Sequence, residues 1–432
     1  MMTRIGLTLG AALLVLQGCG DREEILLGER MDLREDETSV AVDRAVPLSL
    51  PAAVAAQDWT HKAYAPDHDL PHAALAPNPS LRFAASIGSA EDRRHRIFAD
   101  PVVADGRIFT IDSRARVMAH SLTGQPLWSA SVIPVGEADG GATGTGLAVS
   151  DGTLYVSTAY GELLALDAAT GQRIWVQDLG AAAAGAPTVS GGTVYIVGRD
   201  ATGWAIDAAT GRVQWTETGT PAPTGVAGGA APAVSDGMVV FPYASRELRG
   251  VLSGGTSRWT TSVAGSRAGR VYAGITDISG DPVIDGQTVY AGSPSGRINA
   301  FALTSGERLW SAEDGAMSPV VVTGGSVFAV SDQNELIRLD ASTGERIWDT
   351  PLPLFERNLV GRRKAVFKHY GPVLAGGRLW VASSDARLRA FDPVTGVQVA
   401  EVEMPGGATT NPVVAGQTLY VVSEEGQLLA FR

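Results

Sequence analysis

Asp167-Ala168-Ala169-Thr170-Gly171-Gln172-Arg173-Ile174-Trp175 reads as a tight turn running into a short strand. An acid opens it, Thr-Gly closes the turn, and a tryptophan follows four residues after the glycine. The same spacing returns at Gly124/Trp128, Gly211/Trp215, Gly255/Trp259, Gly306/Trp310 and Gly344/Trp348, and a seventh unit has Gly396 with Ala400 in the Trp place. Successive glycines are 47, 40, 44, 51, 38 and 52 residues apart, which is the period of a repeat architecture. Six of the nine tryptophans therefore share one equivalent position.

Around this stretch the unit is complete. Gly146 to Val149 is a short strand, Asp151-Gly152 a turn, and Thr153 to Thr158 an alternating second strand. Tyr160-Gly161-Glu162 turns into a third strand, Leu163 to Asp167, and the opening stretch supplies the turn to a fourth. Glycine serves where φ is positive, and the Asp and Thr side chains cap the turn amides. The Asp recurs as Asp167, Asp207, Asp340 and Asp392. Four short strands per unit predict an all-β propeller blade. First strands are expected near Asp100, Gly146, Ala186, Ala231, Asp281, Ser318, Gly371 and Asn411, giving eight blades of four antiparallel strands.

The eighth unit, Pro412 to Arg432, stops after its third strand. Leu81 to Ser86 is expected to supply the missing strand and close the ring, with Phe83 in the Trp place. Trp128, Trp175, Trp215, Trp259, Trp310, Trp348 and Phe83 are thus read as blade-docking residues. An aromatic ring burying ~150–250 Å² at ~25 cal/mol/Å² yields roughly 4–6 kcal/mol before entropy is deducted.

Composition agrees with many short strands. The 432 residues are 45% hydrophobic and only 19% charged, and contain 52 glycines. With 34 basic against 46 acidic residues the net charge is −12, which makes the chain a poor candidate for nucleic acid, since phosphate binding needs a concentrated basic surface. One cysteine excludes an intrachain disulfide and a thiolate metal cluster.

That cysteine locates the protein. Arg4 precedes an uncharged apolar run, Ile5 to Leu16, too short to span a bilayer and suited to a signal peptide. The run ends in Leu16-Gln17-Gly18-Cys19, which is similar to a bacterial lipobox, so Cys19 is expected to be lipidated and to become the mature N-terminus. Loss of residues 1–18 removes one cation and no acid, taking the charge from −12 to −13. Gly20 in place of Asp implies, by resemblance, sorting to the outer membrane. Residues 20 to about 57 are charged and then Ala/Pro-rich, and are expected to be a flexible spacer. The expected division is a signal peptide over 1–18, a tether and lead-in over 19–79, and the propeller over 80–432.

The repeated Asp-x-x-Thr-Gly-x-x-x-Trp unit resembles the PQQ-like propeller repeat. Eight such blades behind a lipobox resemble the BamB family, lipoprotein subunits of the machinery that inserts β-barrels into the outer membrane. The resemblance implies a non-catalytic scaffold, monomeric by itself, without cofactor. It would bind the periplasmic POTRA domains of the pore subunit and work with the other assembly subunits. PQQ-dependent dehydrogenases share the repeat, and a lipoprotein propeller binding another envelope partner is a further alternative. Those enzymes often carry an adjacent Cys pair and long loops, which this chain lacks.

In the BamB family the loops before blades four and five meet the partner. Asp277 matches the first acid of the second loop's Asp-x-Asp motif, whereas Ser279 replaces its second. Val226-Ala227-Gly228 stands where the first loop carries Leu-Arg-Gly, and Leu248-Arg249-Gly250 falls inside a blade. Asp277 is therefore expected to be a rim charge, with Ile275 and Ile278 as exposed apolar contacts, the alternative being that both isoleucines pack beneath blade five while Asp277 caps a turn. Pro351 to His369 carries Arg357, Arg362, Arg363, Lys364 and Lys368 against one acid, and is read as the one concentrated basic loop, either a solvated surface loop or an electrostatic contact with anionic lipid or an acidic partner. His61, His68 and His72 are read as part of a polar lead-in crossing the propeller, a metal site being the alternative.

Overall fold

Each blade is an antiparallel sheet whose four strands run outward from a central axis, and eight such sheets form the ring. The structure is a computed structural model that describes residues 46–432 except 139, 224, 226–227, 264, 266–276, 279, 317 and 358–364. Blade two shows the plan: strands Gly144–Ser150, Thr153–Thr158, Glu162–Asp167 and Arg173–Asp178. Blade eight is built from both ends of the ring. Leu81–Ser86 pairs with Gln427–Phe431, outside Thr418–Val422 and Val413–Ala415. Ser80 and Arg432 exchange two backbone hydrogen bonds of 3.0 Å beside this junction.

One cross-strand row explains the repeat. In blade two it reads Ala148, Tyr155, Ala165, Trp175 from the axis outward. Its counterparts are Val102–Phe109–Ala119–Trp128 in blade one and Val413–Tyr420–Ala430–Phe83 in blade eight. Phe83 thus holds the register of the tryptophans. The small third residue leaves room for the aromatic beside it, and in blade four that residue is Gly250, lying under Trp259.

The two ends of the Gly-x-x-x-Trp unit meet across blade seams. A methyl group on Gly171, whose φ is +73°, would stand 2.5 Å from Cε3 of Trp128 in the preceding blade. Gly211 receives Trp175, Gly255 Trp215, Gly306 Trp259, Gly344 Trp310, Gly396 Trp348 and Gly124 Phe83 in the same way. Each indole N–H also donates into the next blade, as Trp128 Nε1 does to the Ala168 carbonyl at 3.1 Å. Trp128, Trp175 and Trp215 are only half-buried, so the area estimate above is an upper bound for them. Ala400 stands in the Trp row of blade seven because blade eight has no turn glycine to receive a ring. Its third and fourth strands are the two ends of the ring, and Trp380, fully buried in the same row, carries the bulk instead.

Residues 46–77 do not behave as the flexible spacer expected through residue 57. They run around the inner rim of the ring on the face of the first and third turns of each blade, the hairpin face. The Gly416 N–H of blade eight donates to Ala56, Val103 of blade one to Trp59 and Val149 of blade two to Thr60. Val189 of blade three donates to the His61 ring, Val234 of blade four to Pro66 and Ile284 of blade five to Asp67. Ala73 pairs with Leu374 and Gly376 of blade seven, while Leu48 and Ser49 lie against Gly324 of blade six. Inner strands would otherwise present unpaired edges to the channel, and this segment covers them. Trp59, Leu70, Ala73 and Leu75 are buried in the largest hydrophobic cluster. An Ala/Pro-rich stretch carries no periodic signal for such a role, because it acts through backbone groups.

Candidate functional site: the connector face

Antiparallel order puts the second turn of each blade and the connectors between blades on the face opposite the hairpins. The loops singled out before blades four and five lie here, and they converge. Gly225 of the first lies between the Arg199 guanidinium, from a blade-three turn, and the Asp277 carboxylate of the second, whose Oδ2 would be 3.2 Å from a methyl there. Arg199 and Asp277 line one small depression with Ala222, Gly229 and Ala230.

Below them the Lys62 ammonium reaches up from the lead-in and joins both connectors. Its Nζ donates to the Gly229 carbonyl at 3.2 Å and to Asp281 Oδ1 at 3.0 Å. The same oxygen accepts the Ala231 N–H at 2.6 Å. Asp281 is the residue before the first-strand proline of blade five. Asp100 and Asn411 hold that position in blades one and eight, where they accept the backbone N–H groups of Asn411 and Gly371. This carboxylate therefore ties blade to blade. Burial pushes the Asp100 carboxyl up to about 6, against the pull of Lys62.

The geometry revises several expectations. Ile278 is fully buried between blades four and five, and Asp277 is 6% exposed, so neither is an exposed rim contact. The apolar chain at 278 packs because the connector must fold back into the fifth blade. Ile275 and Cys19 lie outside the described residues. Arg362, Arg363 and Lys364 of the basic insert do too, while Arg357 is exposed and Lys368 pairs with Glu424 at 3.0 Å. That insert is not the one basic stretch on this face: Arg93-Arg94-His95-Arg96 forms another, masked in the sequence by the adjacent Glu91-Asp92. Arg249 of the in-blade Leu-Arg-Gly pairs with Glu217 at 2.7 Å and with Glu247, a structural role.

The three lead-in histidines are engaged separately. His61 Nε2 accepts the Val189 N–H at 3.0 Å, so that nitrogen is bare, and burial holds the ring near a pKa of about 3. His68 Nδ1 donates to the Pro282 carbonyl at 2.8 Å, and burial lowers its pKa as well. His72 bridges the Pro51 carbonyl and the Gly377 N–H. Among the described residues no three His, Cys, Asp or Glu side chains are grouped to hold a metal ion. The repeated aspartates are occupied by their turns, as where Asp167 Oδ1 accepts Thr170 N and Oγ1 at 2.8 and 2.7 Å.

A family model described as outer membrane protein assembly factor BamB matches residues 113–350 and 358–432. The chain belongs to the BamB family. The BamB of Alteromonas naphthalenivorans is 29% identical over 292 residues, covering 63% of this chain and 68% of that one. The BamB of Escherichia coli K12 is 28% identical over 357 residues, covering 81% and 87%. The crystal structure of BamB from Moraxella catarrhalis superposes with a TM-score of 0.65 at 20% identity, covering 81% of this chain and 100% of that one. Quinohemoprotein alcohol dehydrogenase from Comamonas testosteroni reaches 0.66 at 15% identity over 88% and 81%, a likeness of fold alone. Family membership makes the chain a non-catalytic scaffold of outer-membrane protein assembly, anchored by lipid at the periplasmic side of the outer membrane and working among the subunits of that machinery.

Proposed function

We propose that this BamB-family chain, anchored through lipid on Cys19, docks the periplasmic POTRA domains of the pore subunit on its connector face, at the loops before blades four and five. The observation that carries the reading is the convergence of these loops on one pair of cross-links, Lys62–Asp281 and the Arg199–Gly225–Asp277 stack. Both loops are thereby held in a fixed relative position, as a docking surface requires, since ordering them at binding would cost affinity. In this reading Asp277 is a positioning residue, and contact falls to exposed positions such as Thr220 and Pro223. Basic side chains of the insert before blade seven, Arg357 among them, add an electrostatic rim.

A photo-crosslinking residue at Thr220 or Pro223 in envelope preparations tests this. The expected adduct contains the pore subunit, whereas the same residue at Gly191, in a hairpin-face turn, gives none. Adducts with the pore subunit only from the hairpin face would reject the surface, and adducts only with a different envelope protein would reject the partner.

A further inference from the structure

On the connector face a groove of about 680 Å³ opens between the connectors leading into blades one and two, and its Phe98 also meets Gly228 of the loop before blade four. Arg94, His95, Arg96 and Phe98 form one wall, and Gly140 to Thr143 the other. No acid lines it among the described residues. Of the acids that flank its walls in sequence, Glu91 is turned inward, Asp92 is exposed but tied to its own loop, Glu137 is exposed, and Asp139 lies outside the described residues. Glu91 accepts Ile97 N at 2.9 Å and Thr409 Oγ1 at 2.6 Å through Oε1, and Arg96 Nη1 at 2.7 Å through Oε2. Asp92 accepts the N–H groups of Arg94 and His95 at 2.7 and 2.9 Å.

His95 joins the two walls. Its Nδ1 faces Asp92 Oδ2 and its Nε2 faces the Gly140 carbonyl, each at 2.8 Å. Both partners are acceptors, so both nitrogens carry hydrogen and the ring is an imidazolium. The same contacts raise its pKa. Arg114 approaches Asp92 at 3.6 Å and stands beside Gly140. Arg93 and Arg94 are exposed, and among the described residues no acid pairs with either. A chain with a net charge of −12 thus presents here a cationic cleft with an aromatic floor.

We infer that this groove binds an acidic polypeptide segment, whose carboxylates meet Arg94 and Arg96 while an apolar side chain rests on Phe98. Charge complementarity selects an anion, and arginines set beside an aromatic floor that also meets the loop before blade four suit a peptide carrying both acidic and apolar side chains. The groove adjoins the loop before blade four through Phe98 and Gly228 but is lined by other residues, and a peptide assay on the purified chain reads it apart from crosslinking to the pore subunit.

Fluorescence anisotropy of a labelled ten-residue glutamate peptide against the purified full chain tests the inference. Binding at low salt is expected, weakened at least tenfold by the double substitution Arg93→Glu/Arg94→Glu and absent for the glutamine counterpart. Both arginines are exposed, so the melting temperature should not move. Equal binding by the double variant, or no binding by the parent, overturns the inference. So does Arg94-dependent binding of phosphatidylglycerol vesicles without affinity for the peptide, which would assign the groove to lipid.

Discussion

The buried guanidinium of Arg338 donates to the carbonyl of Val46, 292 residues earlier, at 3.0 Å, and to that of Pro47 at 3.1 Å. It also reaches Ser326 Oγ at 2.9 Å and the Val394 carbonyl at 3.3 Å. Arg338 occupies the row position that is Ala119, Ala165, Ala205, Ala300, Ala390 or Ala430 in other blades. The single arginine of that row is the one that holds the lead-in to blade six.

Replacing Arg338 by alanine should therefore leave the blade intact and release the lead-in. We expect a loss of about 2–3 kcal/mol in urea unfolding, the scale of hydrogen bonds from a charged donor. Limited proteolysis should now cut between Leu48 and Pro51 while the propeller resists. Unchanged cleavage would show that the lead-in is held elsewhere.

Phe83 tests ring closure. Its ring is half-buried and lies 6.5 Å from that of Tyr420, against Gly124 of blade one. Phe83→Ala should cost about 2–4 kcal/mol, near the lower end for losing a large core side chain. Phe83→Trp should restore or exceed the parent melting temperature, since six seams already hold an indole there. Equal stability of the alanine variant would mean that the terminal strand closes the ring through backbone bonding alone.

The seam between Gly171 and Trp128 suits a double-mutant cycle. Gly171→Ala meets two obstacles, a left-handed φ of +73° and the indole 2.5 Å away. In a Trp128→Ala background only the first remains, so the glycine substitution should cost less there by about 1–2 kcal/mol. Additive costs would separate the two ends of the repeated unit.

His61 makes a pH prediction. With a pKa of about 3 when folded and the ordinary 6.5 when unfolded, it resists protonation in the native state. Its contribution is complete above pH 6.5 and is lost as pH falls toward 3, by roughly 2 kcal/mol between pH 7 and 5. Asp69 and Asp100, raised by burial to about 7 and about 6, act in the opposite direction, so the comparison must be between variants. His61→Gln should be less stable than the parent at pH 7.5, and the gap should close or reverse by pH 5. A gap constant with pH would mean that native His61 is charged.

Much of the ring was legible because repetition signals it. Gly171 and Trp175 recur at one spacing in blade after blade, and turn aspartates mark the strand before four of the glycines. The site was harder to read. Ile278 has the composition of an exposed contact and the position of a core residue, and only the path of the connector distinguishes the two. Lys62 and Asp281 are far apart in the chain, and neither belongs to a periodic pattern. Arg94 was hidden by charge cancellation with Asp92, whose carboxylate is engaged by His95 and the N–H groups of its own loop. The lead-in was unreadable for a different reason: its carbonyls do the binding, and every residue has one.

Blade eight draws its strands from both termini of the ring, and this sets a timetable. Ser80 and Arg432 are 352 residues apart, so the first strand has no partner until the end of the chain arrives. Throughout that interval an open edge travels with the nascent chain, and seven blades can stack without completing a circle. Release of the last few residues is what ends the exposure. A chain cut short by even one strand would therefore emerge nearly whole in composition yet with both flanks of the gap unpaired, and quality control in the envelope would meet it as an unfinished molecule.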